Sequence, residues 1–240
     1  MTLATLFTLL GYFVAVGVLI WAAKKKRMAT EGVAWVAMIG TAGGLIVARL
    51  VQFLIEGWPN RISFVSFFDP TLGGRALLGG IVGGWIAVEI AKRRFGLKRS
   101  TGDLFALALP AGEAVGRIGC HFGGCCYGTE FAGAWAVYQH GALRHPAQLY
   151  SAGYAALLFV WLLWMRKRVA TEGALFRHYL LGFGAGRFVL EFFRWREHLW
   201  VGLSPMQWLC IELIIYAAVW LWLARPKRKV EDHRAMEPAS

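Results

Sequence analysis

Apolar runs of about 20 residues recur from one end of this chain to the other, and nothing else in it restricts the fold as strongly. A helix of that length crosses the roughly 30 Å hydrocarbon core of a bilayer. Only 17% of the residues are charged and 58% are hydrophobic, against about 25% charged in an ordinary soluble domain. The alternating strands of a membrane β-barrel are not visible. The expected fold is therefore all-α: a polytopic membrane protein with seven transmembrane helices.

The expected spans cover about 3–23, 33–55, 72–91, 103–122, 146–165, 174–193 and 205–224. Basic clusters close the odd-numbered ones. Lys24, Lys25, Lys26 and Arg27 follow the first, and Lys92, Arg93, Arg94, Lys98 and Arg99 the third. Arg166, Lys167 and Arg168 follow the fifth, and Arg225, Lys227, Arg228 and Lys229 the seventh. Positive charge gathers on the cytoplasmic side, so the N-terminus is expected outside and the C-terminus in the cytoplasm. The same clusters account for the net charge of +12 without nucleic acid as a partner, and they suit anionic lipid head groups. No charged segment precedes the first run, which reads as an uncleaved helix rather than a signal peptide.

Residues 1–224 are expected to form one transmembrane domain with a small outer cap around 123–145. Residues 225–240 read as a basic cytoplasmic tail, disordered and broken by Pro226 and Pro238. The outer connection 56–71 carries Trp58, Phe64, Phe67 and Phe68, which suit an element lying on the membrane surface. Gly73-Gly74 and the Gly79-Gly80-x3-Gly84 pattern in the third span permit close helix packing. No internal repeat is visible.

Chemistry concentrates in one stretch, Gly116 to Glu130, where an arginine and a histidine join three of the four cysteines in a glycine-rich break. Arg49, Arg75, Glu89, Glu113, Arg187, Glu191, Arg194 and Glu212 also lie within or beside apolar spans. Charge in a membrane span is costly and calls for a partner or a role. Arginine–glutamate pairing between helices explains any one of them. Arg117 and His121 are spaced i, i+4, and Arg187, Glu191 and Arg194 are spaced i, i+4, i+7, so each set is expected on one helix face. Both sets fall late in their spans, at one depth near the outer surface. Two cationic stripes there suit a lipid phosphate, which arginine grips with two parallel donors.

His145 opens the fifth span just before Pro146. It caps that helix end, or it joins Gln148 and Tyr150 in a polar pocket and acts as an acid/base group. Cys120, Cys125 and Cys126 admit four readings. They are small buried apolar residues; a disulfide, with Cys120 joined to Cys125 or Cys126; soft metal ligands together with His121; or a thiolate nucleophile whose pKa Arg117 or His121 lowers. Their spacing is not a standard zinc pattern. Gly124 and Gly128, with Gly123, let the backbone turn sharply and approach a ligand.

On these residues the chain resembles the bacterial prolipoprotein diacylglyceryl transferases. Gly116, Arg117, Ile118, Gly119, Gly124, Tyr127 and Gly128 match that family's signature in register. Arg144 to Ser151, Arg187 to Arg194, Leu203 to Cys210 and the Val47-Ala48-Arg49-Leu50 stretch are similar to its further motifs, in order along nearly the whole chain. The resemblance implies a seven-helix inner-membrane enzyme open to the periplasm. Such an enzyme moves a diacylglyceryl group from phosphatidylglycerol to a lipobox cysteine and releases glycerol phosphate. Arg117 and Arg187 match the arginines thought to hold the phosphate.

Two departures mark this chain as a divergent member. Leu78 stands where the family has a histidine in the third span. Cys120, Gly123 and Cys125 replace two asparagines and a glutamate of the signature. The expected function is a phospholipid-dependent transferase without a cofactor. Its partners are phosphatidylglycerol, or another anionic phospholipid, and a periplasmic acceptor such as a prolipoprotein. The expected catalytic groups are His121, His145, Cys120, Cys125 and Cys126. The expected substrate-binding groups are Arg117, Arg187, Glu191, Arg194, Arg49, Gln148, Tyr150, Gly124 and Gly128. The competing readings are a thiol, metal or redox envelope protein on the same scaffold, and a non-catalytic lipid-binding protein.

Overall fold

The computed structural model describes residues 2–28, 30–52, 77–96, 100–169, 171–195, 199 and 201–223. The expected surface element at 56–71, Gly73, Gly74, Arg75 and the tail from 225 lie outside these residues. The described residues contain seven α-helices: α1 (Leu3–Lys25), α2 (Thr30–Gln52), α3 (Leu77–Arg94), α4 (Gly102–Phe122), α5 (Ala147–Met165), α6 (Ala174–Leu190) and α7 (Pro205–Leu223). By length and composition four of them, α1, α2, α5 and α7, are suited to cross a membrane. Their exposed faces are apolar, with Phe13, Leu157, Val160 and Trp222 pointing outward. A helix that is hydrophobic on its outer as well as its inner face belongs in lipid.

The architecture departs from an all-helical one between α4 and α5. There β1 (Val137–Gln139) and β2 (Ala142–Arg144) pair antiparallel, with Val137 opposite Arg144 and Gln139 opposite Ala142. The two-residue loop between them is His140-Gly141, with φ of 51° and 77°. Both turn residues at positive φ is the geometry whose twist matches a tight hairpin.

Small residues set the closest helix contacts. Helix α1 lies along α4, and α2 along α3. At the first contact a Cβ on Gly112 would come within 2.7 Å of Ala15 Cβ and 2.8 Å of the Gly11 carbonyl oxygen. At the second, a Cβ on Gly44 would stand 3.0 Å from the Gly80 carbonyl oxygen, and one on Gly84 3.3 Å from that of Gly40. Without a hydrophobic drive between helices in lipid, such backbone approach supplies the dispersion contact that joins them. Gly80 and Gly84 thus serve the packing role their spacing suggested.

Gly112→Val is accordingly expected to lower stability by about 1–3 kcal/mol, the usual cost of overpacking, because the obstructing atoms include backbone. Gly17→Ala meets nothing within 4 Å and should leave the melting temperature in detergent unchanged. Equal melting of the two variants would contradict this contact.

The bundle has two chemically distinct ends. At one, the last turn of α1 meets the start of α4 and α6. The buried Asp103 carboxylate accepts from Lys26 Nζ at 2.7 Å, from the Gly173 amide at 3.1 Å and from the Phe176 amide at 3.2 Å. Gly173, the N-cap of α6, has no side chain, so a residue from α4 takes over the capping that α6 cannot supply for itself. Arg166 sits 4.5 Å above the Trp21 ring at this end. At the other end lie the start of α1, the finish of α4 and α6, the start of α5 and α7, and the hairpin. Phe7 stacks on Phe122 there at 5.4 Å.

Candidate functional site

The signature stretch ends α4 and crosses to the hairpin. Arg117 is held on α4 by Glu113 one turn earlier, with Arg117 Nη2 2.9 Å from Glu113 Oε1 and Nε at 3.0 Å from the same oxygen. On α6 the equivalent pair is Arg187 and Glu191. Both are buried, and Arg187 Nη2 stands 2.7 Å from Glu191 Oε2. The helix does not continue as a straight stripe to Arg194. It tightens into a 3₁₀ turn over Glu191–Phe193, and Arg194 is extended, with φ −93° and ψ 147°. The three residues meet nonetheless, because Arg194 Nη1 folds back to 3.5 Å from Glu191 Oε2. One carboxylate therefore holds two arginines, and their spacing as a helical face is replaced by a hub.

The hub is fixed by the start of α7. Ser204 and Gln207 are both buried and bond reciprocally: the Ser204 amide donates to Gln207 Oε1 at 2.9 Å, and the Gln207 amide to Ser204 Oγ at 3.2 Å. This is a capping box, whose sequence signal is a serine followed three residues later by glutamine ahead of an apolar run. Ser204 Oγ also donates to Glu191 Oε1 at 3.4 Å. Sequence reasoning placed Ser204 and Gln207 only within a family motif, and their link to the arginine hub is visible only in three dimensions.

A narrow cavity runs between α4, α5 and α6, lined by Glu113, Ser151, Tyr154, Leu158, Phe183 and Arg187 among others. Both ion pairs reach it, one through Glu113 and one through Arg187. Arg187 Nη1 and Arg194 Nε are buried and have no hydrogen-bond partner among the described residues. An unpartnered buried donor costs about 1–3 kcal/mol, which favours an anionic group at the hub. Arg49 lies half-buried on α2, beside α3.

The three cysteines converge at the end of α4. Their sulfur atoms all lie within 4.8 Å of one another, and all three are free thiols. His121 is not part of that group. Its Nδ1 is buried and has no partner among the described residues, while its ring meets Phe122 edge-on at 5.7 Å. Hydrogen bonds from the Cys120 and Cys125 thiols, helped by the charges of Arg194 and Arg117, hold the Cys126 thiol below its ordinary pKa against the opposing effect of burial. Gly124, at φ 68°, makes the turn that brings Cys125 and Cys126 back toward Cys120.

The hairpin braces this loop. The almost fully buried Gln148 donates to the Cys125 carbonyl at 2.8 Å and to Gln139 Oε1 at 3.1 Å. Gln139 Nε2 donates to the His121 carbonyl at 3.2 Å. Arg144 donates to the Gln139 carbonyl at 3.0 Å and the Gly128 carbonyl at 3.2 Å, and its guanidinium lies 5.0 Å over Tyr127 and 5.4 Å over Trp195. Backbone bonds tie the same loop to the end of α6: Thr129 N to Phe193 O at 3.0 Å and Trp195 N to Tyr127 O at 3.1 Å. Gly128 is required here because a Cβ would overlap the His145 carbonyl.

His145 does not cap α5. Pro146 occupies the cap position, and the His145 ring stacks on Phe131 at 4.0 Å. Its Nδ1 lies 3.1 Å from Tyr150 Oη, which in turn accepts from Trp135 Nε1 at 2.7 Å. Indole can only donate, so the tyrosine proton is free to point at His145 Nδ1. Residues at the site thus fall into two groups: an arginine–cysteine cluster with Arg117, Arg187, Glu191, Arg194, Cys120, Cys125, Cys126 and Gln148, and an aromatic cluster with His145 and Tyr150.

Comparison with known proteins adds a family. The family model described as "Prolipoprotein diacylglyceryl transferase" matches residues 4–223. A phosphatidylglycerol–prolipoprotein diacylglyceryl transferase of Methylibium petroleiphilum is 32% identical, with 90% of each chain covered. The protein of the same name from Zymomonas mobilis is 30% identical over 82% of this chain and 85% of its own length. That of Bordetella parapertussis is 28% identical with 90% of each chain covered.

Proposed function

The chain belongs to the prolipoprotein diacylglyceryl transferase family, a family of enzymes, and from that premise we propose that it moves a diacylglyceryl group from phosphatidylglycerol to a thiol or other periplasmic acceptor. The observation that carries this reading is the arginine hub: Arg187 and Arg194 share the Glu191 carboxylate, and each keeps a buried donor that no described residue satisfies. A phosphodiester is the anion such a fork fits best.

In this reading the acceptor sulfur attacks the terminal glyceryl carbon. A sulfur–carbon bond forms, the carbon–oxygen bond to phosphate breaks, and glycerol phosphate leaves with the electron pair. Arg117 and Arg187 stabilise the charge that develops on the leaving oxygen, a contribution that rises toward the transition state. Leu78, in the first turn of α3, stands at the family's histidine position and cannot take the acceptor's proton. His121 Nδ1, one helical turn beyond Arg117 and unpartnered, supplies a base in its place. His145 is held by Tyr150 and is assigned to positioning the acceptor. All seven helices cross the bacterial inner membrane in this reading. The basic end lies in the cytoplasm, and the hairpin end faces the periplasm as a cap.

The test is transfer to a peptide. Wild-type protein in detergent, given phosphatidylglycerol and a lipobox peptide or an envelope extract, is expected to yield an acceptor heavier by one diacylglyceryl group in mass spectrometry. His121→Ala should lower the rate by about a hundredfold or more, as loss of a general base does, with lipid binding unchanged. Full turnover in that variant would remove His121 from the mechanism. Lipid binding with no transfer to either acceptor would favour a non-catalytic lipid-binding protein.

A further inference from the structure

The phosphate chemistry proposed above makes no use of the cysteine cluster, whose geometry is nonetheless specific. Cys120 comes from the last turn of α4, and Cys125 and Cys126 from the loop that follows. The convergence depends on two residues in left-handed backbone conformations, Gly124 at φ 68° and Cys126 at φ 58°. Glycine reaches that region freely, whereas a cysteine there is strained. A turn alone would be served better by glycine at 126, so the thiol is present at the expense of backbone comfort.

The loop is also fixed in place. Its carbonyls are bound at three successive points: His121 by Gln139 Nε2, Gly124 by His140 Nε2 at 2.7 Å and Cys125 by the buried Gln148. Three sulfur atoms within 4.8 Å of one another suit a shared ion. Metal–sulfur bonds of about 2.3 Å place three thiolates about 4 Å apart. A disulfide would use two of them, at a sulfur–sulfur length of about 2 Å, and leave the third idle.

We propose that Cys120, Cys125 and Cys126 together bind one thiophilic divalent ion, of the class of Zn2+ and Cd2+, and that the ion staples the end of α4 to the loop leading to the hairpin. Binding forms three metal–sulfur bonds and releases the thiol protons to solvent; no electron is transferred. The proposal does not rest on the transferase reading, and its readout is independent of lipid turnover.

Cd2+ is the probe, because its thiolate complexes absorb in the ultraviolet whereas those of Zn2+ are silent. Reduced full-length protein in detergent, titrated anaerobically, is expected to saturate at one Cd2+ per chain and to retain it against Zn2+, since soft thiolates favour the softer ion. Saturation should shield three thiols from alkylation in mass spectrometry. Cys210→Ser, which changes the buried cysteine of α7, should keep the site. Cys126→Ser should lose it. Cys126→Gly, which suits the local backbone, should lose the absorption while melting as the apo protein does. A titration that does not saturate, or a Cd2+ signal that survives Cys126→Gly, would overturn the proposal. So would a disulfide among these three residues in protein purified with Zn2+ and without reductant.

Discussion

Arg187→Lys protein is expected to fold and insert normally and to lose phosphatidylglycerol turnover by about a hundredfold to a thousandfold, the effect of deleting one preorganised charge-stabilising donor. The reason is geometric rather than electrostatic. Arg187 uses Nη2 on Glu191 at 2.7 Å and keeps a buried Nη1 with no partner among the described residues. A planar guanidinium performs both tasks at once. A lysine ammonium is a point charge on a flexible stem, and in this buried setting Glu191 would capture it. Glu191 also holds Arg194, so the carboxylate stays neutralised and the fold is spared. The loss should therefore appear in kcat more than in KM, since the missing contact matters most when the leaving phosphate gains charge. Lipid turnover at the wild-type rate in folded Arg187→Lys protein would remove this arginine from phosphate stabilisation.

Asp103→Ala is expected to cause the largest loss of stability while leaving the hairpin end untouched. Asp103 joins three helices: Lys26 after α1, its own helix α4, and the amides of Gly173 and Phe176 at the start of α6. Alanine would strand two backbone donors beside a buried position, at about 1–3 kcal/mol each, and release Lys26. Asp103→Asn keeps one acceptor oxygen and should fall between. Thermal melting in detergent, with turnover measured at low temperature, separates the two ends of the molecule. A melting temperature for Asp103→Ala equal to wild type would show that α6 is capped by other means.

The parts of this fold that were legible in the sequence are those set by composition over a long window. Helix positions follow the apolar runs, so α4, α5, α6 and α7 begin or end within a few residues of their expected bounds. Gly80 and Gly84 announced close packing by their spacing alone. The hairpin was missed because its signal is short: His140-Gly141 is a less usual turn pair than asparagine–glycine, and three-residue strands give little alternation to read. The capping box at Ser204 and Gln207 was visible in principle, but its bond to Glu191 depends on how α7 meets the end of α6. Arg194 illustrates the same limit. Its i+7 spacing from Arg187 predicted a shared helix face. The chain instead leaves the helix at the 3₁₀ turn and returns the arginine by a different route. Convergence of the three thiols was among the readings the sequence allowed, but its turn, made by the positive φ of Gly124 and Cys126, and the absence of His121 from the group were not visible in the spacing.

The most direct measurement uses phosphatidylglycerol labelled in both its acyl chains and its glycerol head group, incubated with purified protein and acceptor. Release of labelled glycerol phosphate in equal amount to acyl label gained by the acceptor is the expected result, and it should fall away together in Arg117→Ala and Arg187→Ala. Release of no head group with any acceptor, or release that persists undiminished when both arginines are gone, would contradict a diacylglyceryl transfer driven by the arginine hub.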